Sequence, residues 1–300
     1  MSKHILITGG SGLVGKHLTS LLLDKGYAVS HLSRKENNIR NVKTYLWDVR
    51  QGTIDQNCID GVDVIIHLAG AGVADKLWTD ERKQEISSSR TQSIRLIYQL
   101  LKEHSHQVKK VISASATGYY GNREDELMTE ESAPAGDFLG KCCIDWEQAV
   151  DEGEALGLEI LKLRTGVVLT DEGGALKQLA LPIKFGFGAA LGSGKQWIPW
   201  IHLQDTIDMY LFGIENPIVG VYNMVAPKPV TNQKLTLITA KQLRKPYWLP
   251  NVPAFILKLA FGEMSTVVLA STKVSAEKIE QAGFNFKFPT VKEAIREIYG

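Results

Sequence analysis

The sequence predicts an α/β protein built on a doubly wound parallel sheet, followed by a smaller α/β lobe. Three observations carry this reading. Short apolar, β-branched runs alternate with longer amphipathic ones through the first half of the chain. A glycine-rich turn joins the first of these strand-like runs to the first helix-like one. The chain has 300 residues, 44% hydrophobic and 22% charged, and at that length roughly three quarters of the unfolded surface can be buried. With 27 Gly and 10 Pro it is neither a fibre nor a low-complexity chain.

Taken in order, residues 4–8 (HILIT) read as a buried strand. Residues 13–23 read as a helix with Leu18, Leu21 and Leu22 on one face. Residues 27–32, 43–47, 62–68, 108–113 and 158–163 are strand-like, and 80–103 and 138–156 carry helical spacing. A continuous apolar strand followed by a helix, repeated, marks a parallel sheet covered on both faces. After Gly166 the rhythm changes, with Gly173, Gly174, Gly186, Gly188, Gly192 and Gly194 spread among isolated strands. A second apolar unit follows at 250–270 and a last helix near 291–299. The boundary is placed at 1–165 for the sheet domain and 166–300 for a smaller substrate-facing lobe, with later segments free to return to the sheet.

Lys and Arg number 34 against 33 Asp and Glu, a net charge of +1. That balance argues against nucleic acid or anionic lipid as a main partner. Expected instead are a small-molecule substrate, no nucleic acid, no membrane, and a monomer or homodimer. The three cysteines, Cys58, Cys142 and Cys143, form neither a disulfide framework nor a zinc motif, which points to a reducing, cytoplasmic setting and no metal. The start of the chain, Met1-Ser2-Lys3-His4, runs into the first strand without signal-peptide architecture. The stretch 252–269 is interrupted by Lys258 and Glu263 and does not read as a bilayer span.

Thr8-Gly9-Gly10-Ser11-Gly12-Leu13-Val14-Gly15 places glycines at 9, 12 and 15 between a strand and a helix. The first permits a tight turn, the second lets backbone N–H groups approach a pyrophosphate, and the third lets helix and strand pack closely. This is the Rossmann-type arrangement. Its second strand ends Leu32-Ser33-Arg34-Lys35, with no carboxylate before Glu36. Arg34 offers a planar fork to a 2′-phosphate and Ser33 a hydroxyl, so the cofactor expected is NADP(H). Asp48, after the third strand, reads as a contact to adenine or as a cap. Leu68-Ala69-Gly70 puts small residues where backbone must pass a bound cofactor. His67 reads as a packed strand-end histidine.

Together these segments resemble the extended short-chain dehydrogenase/reductase superfamily. The TGGxGxxG loop, the HLAG run at 67–70, the strand end Ser113-Ala114-Ser115-Ala116-Thr117 and the later WIHLQD stretch at 200–205 carry the likeness. The segments SASATGYYG (113–121), Asp145-Trp146-Glu147, LRTGVVL (163–169) and GSGKQWIPWIHLQD (192–205) resemble the narrower subgroup called epimerase family proteins, and the likeness extends over nearly the whole chain.

The resemblance implies a catalytic Tyr-x-x-x-Lys pair with a Ser or Thr that orients a substrate carbonyl. A tyrosine whose pKa is lowered by a neighbouring ammonium donates the proton that an alkoxide needs after hydride transfer. Here the segment reads Asp137-Phe138-Leu139-Gly140-Lys141, so Lys141 takes the Lys position and Asp137 replaces the Tyr. Asp137 reads equally as a helix cap, and Lys141 as a solvated side chain or a contact to the cofactor ribose. Ser115 matches the carbonyl-orienting position. Tyr119 and Tyr120, in a loop flanked by Gly118 and Gly121, lie at a strand's carboxyl end, where ligands collect; Tyr120 is the candidate proton donor or an aromatic wall.

Arg164, ending the sixth strand, is expected to pass its backbone by the nicotinamide. Trp197, Trp200 and Lys195 would form an apolar wall with one cation, or plain core. His202 is a candidate to face the cleft and contact substrate, Asp205 caps the helix at Thr206, and Trp78 and Arg90 are weaker candidates for lining the cleft. The function this implies is an NADP(H)-dependent oxidoreductase or epimerase acting on a small carbonyl or nucleotide-sugar-like substrate. The alternative is an NADP(H)-binding sensor without turnover, prompted by Asp137.

Overall fold

In the computed structural model residues 3–300 are described; Met1 and Ser2, the lead-in to the first strand, lie outside them. The chain opens with β1 (His4–Thr8), α1 (Leu13–Asp24), β2 (Ala28–Ser33), β3 (Val42–Asp48) and the short β4 (Thr53–Ile54). It continues through β5 (Val64–His67), α2 (Asp80–Glu103), β6 (Lys110–Ala116), β7 (Leu127–Met128), α3 (Phe138–Asp151) and β8 (Glu159–Thr165). Then come β9 (Val167–Leu169), α4 (Gly174–Lys184), β10 (Trp197–Ile198), β11 (Trp200–His202), α5 (Leu203–Glu215) and β12 (Gly220–Met224). The end holds β13 (Val230–Thr231), α6 (Asn232–Gln242), α7 (Ala254–Phe261), α8 (Thr266–Leu269), β14 (Lys273–Val274), α9 (Glu277–Gln281) and α10 (Val291–Tyr299).

The central sheet has eight strands in the order β12-β8-β6-β5-β1-β2-β3-β4, all parallel except β4 against β3. The alternation of side chains explains the continuous apolar runs. Ile5 and Ile7 point to the face covered by Leu18 and Leu22 of α1 and Ile207 and Ile214 of α5. Leu6 points to the other, under Ile94 and Ile97 of α2 and Trp146 and Val150 of α3. Both faces of the central strands are closed, which is why β1 and β5 read as nearly continuous apolar runs. Each fully buried Ile or Leu of this layer contributes about 1.5–3 kcal/mol.

The expected boundary at residue 165 divides the chain but not the sheet. α5 packs on α1, and β12 pairs with β8 in register from Gly220↔Leu161 to Met224↔Thr165. What is left of 166–300 forms a smaller lobe around Leu169, Leu176, Trp200, Leu235, Val291 and Ile295. Its last helix, α10, starts in a capping box between Thr290 and Glu293, which satisfies two otherwise open amide donors. A two-stranded pair, β7 with β14, ties the loop after β6 to the end of the chain.

Candidate functional site

Strand order reverses between β1 and β5, so a crevice opens beyond their carboxyl ends, where open α/β sheets bind ligands. Thr8 joins its two walls, because its Oγ1 accepts from the backbone N–H of Leu68 and of Ala69, both at 3.1 Å. Gly9 has φ of +72°, and a β-carbon there would lie 3.0 Å from the Leu68 carbonyl. At Gly15 a β-carbon would meet the Gly9 oxygen at 2.4 Å, so α1 closes directly onto the loop. Helix α1 starts after Gly12 with no side-chain cap, which leaves its first-turn N–H groups open toward the crevice side of Ser11, Leu13 and Val14. A bare helix N-terminus in a glycine cradle fits a pyrophosphate.

Gly10 sits against a side chain from β2. A β-carbon there would stand 2.4 Å from the His31 ring, which lies buried beneath the loop. His31 Nε2 is 2.8 Å from Thr19 Oγ1, and burial pushes the imidazole down to about 4, so it stays neutral. At the end of β2, Arg34 is exposed and has no hydrogen bond or ion pair among the described residues. Ser33 beside it is half-buried. This free fork fits a 2′-phosphate. Asp48 Oδ1 caps the β3–β4 turn, accepting from Arg50 N at 2.8 Å and Gln51 N at 3.1 Å.

The other wall is a loop held from behind. Arg90 donates to the carbonyls of Ala71 at 3.0 Å and Ile86 at 2.8 Å, and its guanidinium lies 4.9 Å over the Trp146 ring. Arg82 donates to the Gly72 carbonyl and to Glu85 Oε2 at 2.6 Å. Trp78 donates to the Val73 carbonyl and meets Phe138 edge-on. His67 is packed as expected, between Ser113 and Ser93 hydroxyls, with burial pushing it down to about 3. Arg90 and Arg82 therefore position the segment after Gly70.

Behind the crevice lies a buried polar network. Ser115 Oγ donates to Glu147 Oε1 at 2.6 Å, and Arg164 grips the same carboxylate through Nε at 2.8 Å and Nη2 at 2.9 Å. Arg164 Nη1 also donates to the Tyr120 hydroxyl at 3.0 Å, and that hydroxyl donates to Asn223 Oδ1 at 2.6 Å. The Arg164 guanidinium stacks 3.4 Å above the Tyr119 ring. All but Tyr119 are buried.

Comparison with known proteins places this architecture. Residues 5–143 match the model of the NAD dependent epimerase/dehydratase family. The chain is 36% identical to the epimerase family protein YfhF of Bacillus subtilis over 98% of its own length and 97% of that protein's. It is also 36% identical to the epimerase family protein SAR0825 of Staphylococcus aureus, over 99% of both. The chain belongs to the NAD-dependent epimerase/dehydratase family. Residues 252–298 match a domain model of unknown function. The human epimerase family protein SDR39U1, whose crystal structure was determined with NADPH, superposes with a TM-score of 0.86 at 26% identity, covering 99% of each chain. A nucleoside-diphosphate sugar epimerase from Corynebacterium glutamicum gives 0.82 at 32% identity, covering all of this chain and 59% of that one.

Against the family's implied tyrosine–lysine pair, the structure gives each candidate residue its surroundings. Asp137 is the helix cap, its Oδ1 accepting from Gly140 N at 2.8 Å. Lys141 lies on the exposed side of α3, with no side-chain partner among the described residues. Tyr120 is buried, which pushes its hydroxyl up to about 12, and that hydroxyl bonds both Arg164 and Asn223. Ser115 Oγ faces Glu147. Arg164 has its backbone in the sheet between Ser115 and Asn223, so its role is the buried ion pair.

In the second lobe, Trp200 is core, with Nε1 bonded to the Lys228 carbonyl. His202 is buried, capping α5 through Nδ1 and meeting Glu297 at 2.8 Å, so neither residue walls the cleft. Asp205 caps no helix but accepts from the backbone of Lys287 and Phe288. Trp197 stays half-buried, bonded to Asp125 at 2.6 Å. Sequence reasoning missed Glu147 as the hub, although a carboxylate at a position facing strand residues Ser115 and Arg164 was the available signal.

Proposed function

We propose that the protein binds NADP(H) in the β1–β5 crevice and acts as a reductase of a small carbonyl or nucleotide-sugar-like compound. The observation that carries this is the unpaired Arg34 at the end of β2, beside an uncapped α1. The NADPH found with the human relative supports the same preference. Bound NADPH would supply a hydride to a carbonyl carbon. Gly9, Gly12 and the first turn of α1 would hold the pyrophosphate, and Arg34 with Ser33 the 2′-phosphate. Leu68, Ala69 and Gly70 would line the path toward the nicotinamide end, kept in place by Thr8 and Arg90.

No Tyr–Lys pair is formed at Asp137 and Lys141, so the alkoxide would take its proton from water entering the crevice. That source serves carbonyl reduction better than epimerisation, which first needs a base to draw a proton from an alcohol. A second reading, a sensor that holds NADP(H) without turnover, is favoured by the same capping role of Asp137. The experiment loads the protein with NADPH and follows nicotinamide absorbance on addition of fractionated metabolites. Consumption by one fraction is expected. Tight NADPH binding without consumption by any fraction would overturn the reductase reading in favour of the sensor.

A further inference from the structure

The balanced total charge hides a segregation. Residues 173–204 and 216–262 hold nine Lys or Arg and not one Asp or Glu. Among the described residues none of these nine cations is in an ion pair; the paired ones all lie elsewhere. On the same part of the lobe large apolar side chains stand out into solvent. Phe185 is 72% exposed and Leu259 87% exposed, and Phe187, Trp248, Phe255 and Ile256 are exposed with them.

The backbone brings these segments side by side. A β-carbon at Gly188 would lie 3.2 Å from the Pro246 carbonyl. Val252 donates to the Ala190 carbonyl and accepts from Gly192 N, both at 2.8 Å, just before α7 begins. Within α7 only Leu257 is buried and Lys258 is exposed among its apolar residues, while the exposed Arg244 and Lys245 lead into Pro246, the residue beside Gly188.

We propose that this face docks on the surface of an anionic lipid bilayer, with α7 at headgroup level. Protruding Phe, Trp and Leu beside unpaired cations match an interface whose outer layer is negative and whose inner layer is apolar. Side chains this exposed stand clear of packing neighbours, which suits insertion among lipids. A second copy docked symmetrically would set the same unpaired cations against each other. Stacking by single-stranded nucleic acid would use the aromatics but leave Leu259 and Ile256 in water. Contact with a surface differs from crossing it, and among the described residues no helix is long and apolar enough to span a membrane. Under this proposal the exclusion of anionic lipid drawn from total charge would not hold, because an average over the chain is blind to where the charges lie.

The test is flotation of the full chain with phosphatidylcholine vesicles made with and without phosphatidylglycerol. Binding is expected only to the anionic vesicles and is expected to be weakened at about 0.5 M salt. Phe255→Ser with Leu259→Ser, and separately Arg244→Glu with Lys245→Glu, should each lower partitioning at least about tenfold. Their exposed positions keep circular dichroism unchanged, and the charge pair decides the matter alone should the apolar pair misfold. No flotation with anionic vesicles, or equal flotation with neutral ones, would overturn the proposal. So would variants that change only self-association or binding to single-stranded nucleic acid.

Discussion

Ser115 Oγ and Glu147 Oε1 are 2.6 Å apart, a strand hydroxyl donating to a helix carboxylate in the protein interior. The contact turns a residue expected to orient a substrate into part of the brace between β6, β8 and α3. Arg164 completes that brace with two further bonds to the same carboxylate.

Replacing Glu147 by Gln should be severe, because it leaves the Arg164 charge buried and unpaired, at a cost of about 3–5 kcal/mol. Ser115→Ala removes one donor while the ion pair survives, and should cost only about 0.5–1.5 kcal/mol. Urea unfolding measures both. NADPH consumption at saturating substrate should be unaltered in Ser115→Ala; its loss with stability intact would restore a catalytic serine.

Arg34→Ala should weaken NADPH binding and leave NADH binding as it was. Losing charge-assisted bonds to a phosphate costs about 1.5–3 kcal/mol, or one to two powers of ten in affinity. Fluorescence titration with the two cofactors reads the ratio directly, and equal losses for both would remove Arg34 from the 2′-phosphate.

A methyl group at Gly10 has only the His31 ring to enter. Gly10→Ala should therefore cost about 1–3 kcal/mol and weaken NADPH binding by moving the loop. Adding His31→Ala vacates that space, so the double variant should recover part of the NADPH affinity. A purely additive double-mutant cycle would contradict the steric account.

His31 and His67 are both held neutral, pushed down to about 4 and about 3 by burial. The unfolded chain protonates both near pH 6.5, so below that pH it binds more protons than the folded one, and stability falls as pH falls. The loss should begin near pH 6.5 and continue to about 4, with a slope approaching 2.7 kcal/mol per pH unit while both contribute, at about 1.36 for each. Denaturant midpoints from pH 8 to 4 test this; a flat profile between pH 6.5 and 5 would rule it out.

The cofactor half of the molecule was legible because local rules govern it. Helix α2 was read at 80–103 and α10 at 291–299, the bounds the structure gives, since spacing and caps act within a few residues. The glycine loop was legible for the same reason. Partners brought from far along the chain were not. Nothing near Tyr120 announces Asn223, 103 positions away, and without that partner the hydroxyl reads as a free acid. Trp200 and His202 were misread in the same way, since their burial depends on α6 and α10 packing over them. Strand β12 went unread because Gly220-Val221-Tyr222-Asn223-Met224 lacks the continuous β-branched run of β1 or β5, and only pairing with β8 makes it a strand.

That late strand has a consequence for synthesis. When the first 165 residues have left the ribosome, the crevice residues have all emerged, but β8 is an open edge carrying Ile160, Leu161 and Leu163. Such an edge is a template for pairing with another chain. It stays uncovered until β12 follows, roughly 3–12 s later at ordinary elongation rates. The nascent protein thus passes through a stage at which it can already assemble its nucleotide cradle while it is most prone to aggregate, and a bound dinucleotide would act as its own chaperone during that interval.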